Sequence, residues 1–527
     1  MIEKKFSGNS SYGSFNIIDR NKRLEESDHE KNSRLFPWIN GLVCIILAAC
    51  TVRNSIQNIS WLQYSEKMQT KSLLLVTVLL CVSGSLLSRC KRKNAKTFYV
   101  YFALVTCCIQ FLLIHQLVSE VGWDSGAVIA TALHSVSEET SIQYLSVYPN
   151  NLFLVFLYQL LFRLFGIQSI IDAYYVAAFF NMLCIQITMF FLYRCLDMLF
   201  QSVAVWMGML CFTFLFVLSP WVIIPYSDVV SIPFNCYLFY CFLKMGNTTD
   251  QGTPAGKRIF TDAFRIAAVT FIGTCIKPTV LIISIAGFIY LWITDAKRKQ
   301  KYIHKISMLT SIAIFLLLGG IWNQAVKLQT DYPLDANKKM TYSHYLMLGL
   351  NNNRGVYTQE DYEISQNQPD VKSRQAANRK EIIARLEEKG VTGYFAHIWD
   401  KMCMIHSEGV FFWGGESGMN FLNFDLSRHS PLRNVYYVNG THYYIYKYAA
   451  QGIWFFMLLV AGIGIFSVHH NNTTERVMIS LIILGIIAFN MLFEARSRYL
   501  IPFLPFYTMV FCYGFETISY YLQPKQI

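Results

Sequence analysis

The chain has 527 residues, of which 54% are hydrophobic, 16% aromatic and 15% charged, and its mean hydropathy is +0.33. A charged fraction well below the roughly 25% of soluble domains excludes a soluble enzyme, a disordered chain and a fibrous repeat. It predicts an all-α polytopic membrane protein. The net charge of +12 would suggest nucleic acid in a soluble protein. Here Lys and Arg fall mostly in short loops between apolar runs, where they set topology, so no nucleic-acid partner is expected.

Residues 1–34 are polar and mixed in charge and read as a disordered cytoplasmic tail. The first apolar run begins only at Leu35, too late for an ordinary signal peptide. Apolar runs then predict about twelve membrane spans: 35–52, 72–88, 98–117, 170–194, 203–219, 228–244, 264–276, 279–294, 306–323, 451–467, 476–493 and 499–521. Residues 35–97 hold two N-terminal spans, 98–323 a transmembrane core, and 451–527 the last three spans.

The basic loops 89–96 and 295–305 are expected to be cytoplasmic, and 118–150, without Lys or Arg, external. An even number of spans puts both termini inside. Within the external loop 118–169, Leu152–Gly166 would be a helix only about 22 Å long, short of the ~30 Å hydrocarbon core. It reads as a juxtamembrane helix, with a short span as the alternative. Lys277-Pro278 interrupts 264–294 and predicts a helical hairpin, or else one broken helix. Residues 324–450 form one mixed external domain, with a helix over Ser373–Lys389 ended by Gly390 and an aromatic run over 409–415. Of 14 cysteines only Cys403 lies in that polar segment, and no pair is expected to staple it.

A few ionisable residues remain at the expected outer face. Asp124 follows a span within Trp123-Asp124-Ser125, where partial desolvation would strengthen it as a base; a solvated or N-capping aspartate is the plainer alternative. Asp228 opens a span and is either a helix N-cap or a second acid facing the same cavity. Lys277, Arg496 and Arg498 are snorkelling cations or an anion site that would hold a phosphate. There is no P-loop, no GxGxxG after a strand and no HExxH. An enzyme facing outward would lack nucleotide sugars, so its activated substrate would arrive on a lipid carrier.

Five pieces occur in order: Asp124, Tyr148-Pro149-Asn150-Asn151, Tyr226-Ser227-Asp228, Lys277-Pro278, and Glu494-Ala495-Arg496-Ser497-Arg498-Tyr499-Leu500-Ile501-Pro502. Together they resemble the GT-C class of integral-membrane glycosyltransferases. The chain is most similar to bacterial family 39-like proteins related to protein O-mannosyltransferases and aminoarabinose transferases. The stretch His344 to Asn351, then Gly355-Val356-Tyr357 and Asp361, resembles a subgroup of Gram-positive cell-envelope enzymes.

The resemblance implies transfer of a sugar, with inversion, from a polyprenyl-phosphate donor in the membrane lipid to a cell-envelope acceptor at the external face of the cell membrane. Asp124 and Asp228 would be the catalytic pair. Lys277, Arg496 and Arg498 would meet the donor phosphate. Tyr148, Tyr226, His344, Asn351 and Tyr357 would contact acceptor or sugar, with Trp413 as a further stacking surface. No cofactor is implied with certainty; a divalent metal shared by Asp124 and Asp228 stays open, although no ligand spacing calls for one. The rival class is a lipid-linked glycan flippase or transporter, which would more often show repeated halves.

Overall fold

The computed structural model describes residues 35–57, 71–79, 82, 95–247, 255–298, 303–413, 421–422, 430–467 and 473–522. The tail 1–34, the loop 89–94, most of the second half of the 72–88 span and Gly414-Gly415 lie outside the described residues. Eight described helices are long and apolar enough to cross a membrane, or nine if one bent pair counts as a single span. They coincide with eight of the runs read from hydropathy. The runs at 203–219 and 279–294 correspond to shorter apolar helices, Ser202–Val217 and Pro278–Thr294. The last run is a 3-10 segment, Ser497–Phe503, continued by the helix Leu504–Leu522. The chain is an all-α polytopic membrane protein.

The helix Ser227–Asn247 is the hub of the bundle. The share of its apolar window buried inside the protein is 78%, against 11% for the lipid-facing His304–Leu328. It packs along Ile170–Leu199, Leu281–Arg298 and the 3-10 segment 497–503. Asn235 cements the last contact by donating from Nδ2 to the Pro502 carbonyl at 2.9 Å. In hydrocarbon such a group has no water to turn to, so it must be satisfied by a neighbouring helix.

The Lys277-Pro278 interruption is a turn between two helices, Ala255–Ile276 and Leu281–Arg298. Their arms are bridged by buried hydroxyls of Thr270 and Ser284 at 2.6 Å. A second break lies at Tyr148-Pro149, where Glu138–Val147 and Pro149–Phe165 meet at 106°. Proline has no N–H to continue the first helix and disfavours helical backbone before it. The helix Leu152–Phe165 buries Leu152, Val155, Tyr158, Gln159 and Phe162 on one face and is capped by Gly166 at φ 64°. It lies on the helix Trp123–Leu133.

The 324–450 segment differs from the mixed domain expected. Among the described residues it is helical, and its only strand, Phe421–Leu422, pairs antiparallel with Glu120–Val121 outside the segment. The charged helix spans Val371–Ile405, with Gly390 at φ 56° and ψ −173° breaking it where a stop is read from the sequence. The chain turns at Gly390 and resumes as a helix because residues 397–405 find a buried surface. Asn54 Nδ2 donates to the Cys403 carbonyl at 2.8 Å, and Arg53 pairs with Asp400. Cys403 Sγ lies 3.8 Å from Cys50 Sγ, so this cysteine does meet a partner from the first span, though both are free thiols.

Where Tyr443–Ile463 crosses Leu504–Leu522, Gly514 touches the other helix backbone: a Cβ there would overlap the Val460 carbonyl. Small residues permit such close crossings in membranes. Gly514→Ala should therefore destabilise the bundle by about 1–3 kcal/mol. Thermal unfolding in detergent checks this, and an unchanged Tm contradicts the close crossing.

Candidate functional site

Three chain segments converge at one end of the central helix. The first is the turn before Asp228. Residues Pro220–Ile223 form a 3-10 turn whose carbonyls at Val222 and the following Ile224 accept from buried Asn181 at 3.1 and 2.7 Å. This places Tyr226 and Asp228 at the first turn of Ser227–Asn247. The second is 406–413, held to the Tyr443–Ile463 helix. There Gln451 bridges the Gly409 N–H and the Ser407 carbonyl, and Trp454 donates to the His406 carbonyl at 3.0 Å. The third is 494–499, which follows the helix Thr474–Leu492.

Asp228 is 0% exposed and faces two cations. Lys277 Nζ lies 2.8 Å from Oδ1 and Arg498 NH1 3.2 Å from Oδ2. The Arg498 guanidinium stacks over Tyr226 at 4.1 Å, and Lys277 Nζ lies 5.0 Å from the centre of the Tyr499 ring. Beside them, Arg496 pairs with Glu494 at 3.1 Å and lies over Phe412 at 4.8 Å. Removing charges from water is costly unless each is paired and hydrogen-bonded. The aromatic faces add favourable quadrupole contacts to both guanidinium groups. The chain thus gathers three cations around two carboxylates and keeps a positive excess.

Asp124 lies beside this cluster. It is partly buried in the first turn of Trp123–Leu133, following Trp123 at φ 57°, a conformation that costs a bulky residue energy. Tyr144 Oη donates to its Oδ1 at 3.2 Å, and Asn151 Nδ2 donates to Tyr144 Oη at 2.6 Å. Burial raises the Asp124 carboxyl above its ordinary range, while Arg498, the Tyr144 hydroxyl and Arg496 pull it down. Its charge state sets the balance: with Asp124 protonated the cluster carries an excess positive charge, and with it ionised the charges cancel.

The residues expected to contact sugar or acceptor separate into two groups. Tyr226 and Tyr148 belong to the cluster; Tyr148 is half-buried, and its hydroxyl is pushed up by burial and by Asp124, Tyr345, Tyr362 and Tyr357. Tyr357 sits at the rim, its ring 6.2 Å from the exposed Trp123 ring. His344 and Asn351 instead hold the 324–450 segment together. His344 is 2% exposed, bonds Ser365 Oγ at 2.7 Å and is pushed down to about 4 by burial. Asn351 donates to Asp361 and the Val356 carbonyl and accepts from the Asn353 and Gly355 N–H groups. Trp413 is fully buried and meets Trp221 edge to face.

Among the described residues no three His, Cys, Asp or Glu side chains group to hold a metal ion. Both Asp228 oxygens face cations, so the donor set for a metal shared with Asp124 does not fit.

The sequence offered no signal for two further residues. Tyr144 reaches Asp124 because the turn at 134–137 folds Glu138–Val147 back beside Trp123–Leu133. Glu408 is 2% exposed; its Oε1 accepts from Ser497 Oγ at 2.5 Å and from the Phe412 N–H at 2.8 Å. It ties the aromatic run to the arginine segment, and burial holds its carboxyl high.

Asp228→Asn would leave Lys277 and Arg498 without their counter-charge and should cost about 3–5 kcal/mol, read as a lowered Tm in detergent and partly restored by adding Lys277→Met. An equal Tm for Asp228→Asn would show that the pairs carry no stability. Tyr144→Phe removes a donor to the charged form of Asp124, so the Asp124 midpoint should rise by about one pH unit. The carboxylic C=O infrared band reports this, and a fall or no shift contradicts the contact.

A family model described as a conserved hypothetical integral membrane protein matches residues 42–518. No curated protein and no solved structure matches the chain.

Proposed function

The chain belongs to that family of integral membrane proteins, and on the geometry of the cluster we propose that it is a GT-C-like membrane glycosyltransferase. In this reading it moves a sugar from a polyprenyl-phosphate donor to a cell-envelope acceptor at the outer face. Both termini are cytoplasmic, and about twelve spans carry the site. The observation that carries the reading is the placing of one partly desolvated carboxylate, Asp124, beside a buried cation cluster at the same end of the bundle.

The chemistry needs two functions at that distance scale. Asp124 takes the proton from the acceptor hydroxyl as its oxygen attacks the anomeric carbon. The bond from that carbon to the phosphate oxygen breaks with inversion, and the lipid phosphate leaves with the bonding pair. Arg498, Lys277 and Arg496 meet the charge that develops on it. Asp228 orients Lys277 and Arg498 while they wait. Tyr148, Tyr357 and exposed Trp123 supply ring faces against which a pyranose packs, and the buried Tyr226 ring holds the Arg498 guanidinium. The phosphate is itself a competent leaving group, so no nucleotide is required.

Purified protein in lipid vesicles tests this directly, with a polyprenyl-phosphate sugar and no ion gradient. Asp124→Asn should lower turnover by about 10²–10⁴-fold, and Arg498→Ala should weaken donor use more than acceptor use. The folded-state pKa of Asp124 lies above its unfolded value. Ionisation therefore costs stability as pH rises through that window, and Asp124→Asn should be at least as stable as the parent above it. Near-normal turnover in Asp124→Asn would remove the base assignment. Movement of lipid-linked glycan without any sugar transfer would favour the flippase class.

A further inference from the structure

Lys401 has no place in the proposed chemistry, yet it is 0% exposed. Its Nζ donates to three backbone carbonyls: Gly349 at 2.7 Å, Phe493 at 2.8 Å and Met491 at 3.1 Å. Met491 and Phe493 end the helix Thr474–Leu492, where the last carbonyls have no partner within the helix. A cation there also meets the negative end of the helix dipole. The residue after Phe493 is Glu494, the start of the arginine segment. On the other side, Gly349 closes the helix Tyr342–Gly349. The turn beyond it returns to the same place, where the Gly355 carbonyl accepts from the Ala495 N–H at 2.9 Å. Gly355 has φ 75°, and a Cβ on it would come within 2.7 Å of Lys401 Nζ, so the turn is closed directly over the ammonium. Two unconnected chain segments therefore share one buried cation as their common anchor.

We infer that Lys401 is the positioning residue of the anion site, fixing the backbone of Glu494 to Arg498 by capping the helix that precedes it. This rests on the proposed reading that Arg498 and its neighbours receive an anionic lipid headgroup. Loss of the ammonium removes the donor to the Met491 and Phe493 carbonyls, leaves Gly349 to His397 alone and loosens the Gly349–Gly355 turn, and the arginines lose their shared orientation.

Burial pulls the Lys401 ammonium down to about 7, opposed by Glu494. Below that value it is charged and donates to all three carbonyls; above it the amine keeps two donors for three carbonyls and loses the charge that meets the helix dipole. The groups that face it are Glu494 from the arginine segment, and His397 on its own helix, which bonds the same Gly349 carbonyl at 2.9 Å. His397 is itself pushed down by burial and by Lys401 and Lys389, opposed by its bond to the Gly349 carbonyl and by Asp400. Asp124 is a second group whose titration affects anion binding, because Arg498 acts on both.

The test uses the full chain in lipid nanodiscs and farnesyl sulfate, a prenyl anion whose charge does not change between about pH 5 and 9. Calorimetric titration is run on the parent, Lys401→Arg, Lys401→Met and Arg498→Ala across that range. The parent should bind about tenfold more weakly once pH has risen through the Lys401 midpoint. Lys401→Arg should keep its affinity through that window. Lys401→Met should bind at the weak level on both sides of it, and Arg498→Ala should not bind. A step that persists in Lys401→Arg belongs to Asp124 and overturns the assignment to Lys401. Parent-like affinity and pH dependence in Lys401→Met overturn it as well, while leaving the anion site standing. Absence of binding by the parent removes the anion-site reading and the inference with it. Should Lys401→Met fail to fold, the contrast between the parent step and Lys401→Arg still decides.

Discussion

A buried carboxylate shared by two cations organises this end of the molecule. Asp228 is fully buried at the start of the central helix, and its two oxygens take one cation each, from a helix-hairpin turn and from the arginine segment. Neither cation could be carried into a partly buried position without a counter-charge. The single carboxylate therefore decides where three separate helices meet. Asn235 repeats the tie two turns further along by satisfying the Pro502 carbonyl. The Lys277-Pro278 turn, the central helix and the 497–503 segment are consequently one structural unit.

Around that unit the protein solves one problem repeatedly. Helix ends in a membrane protein leave carbonyls unpaired, and buried cations or hydroxyls meet them from distant segments. Arg433 donates to the Gln116 and Val118 carbonyls after the helix Ala95–Leu117, and Tyr437 donates to Leu117. Arg476 donates to the Gly464 carbonyl at the end of Tyr443–Ile463. Lys401 does the same for Thr474–Leu492. Residues from the 324–450 stretch and its flanks thus serve as caps for the transmembrane helices. That is why this polar segment is docked on the bundle and does not stand as a layer of its own.

Much of the architecture could be read in advance, because hydropathy is a local property. Each apolar run is helical where it is described, and Gly390 and Pro149 break the chain where their backbone chemistry demands. Asp124, Asp228, Lys277 and Arg498 were visible as ionisable residues at run ends, where a charge has a cost that needs a reason. His344 and Asn351 lie in the same kind of surroundings on paper. Their partners Ser365 and Asp361 are 10 to 21 residues away, a separation at which spacing carries no information about contact. Glu408 gave no sign at all, since an acid beside an aromatic run looks the same whether it is solvated or buried.

Composition and the order of apolar runs were enough to make this chain an α-helical membrane protein with a handful of charges worth explaining. Those quantities depend on each residue and its near neighbours. Which of the charges pair, which carboxylate is left to titrate and which cation caps which helix depend on residues hundreds of positions apart. Asp228 and Arg498 are separated by 270 residues, and only packing of the helices brings them within 3.2 Å. The excess of cations over carboxylates could be counted along the chain. The gathering of Lys277, Arg496 and Arg498 at one end of the bundle, with Asp124 beside them, was decided by the tertiary fold.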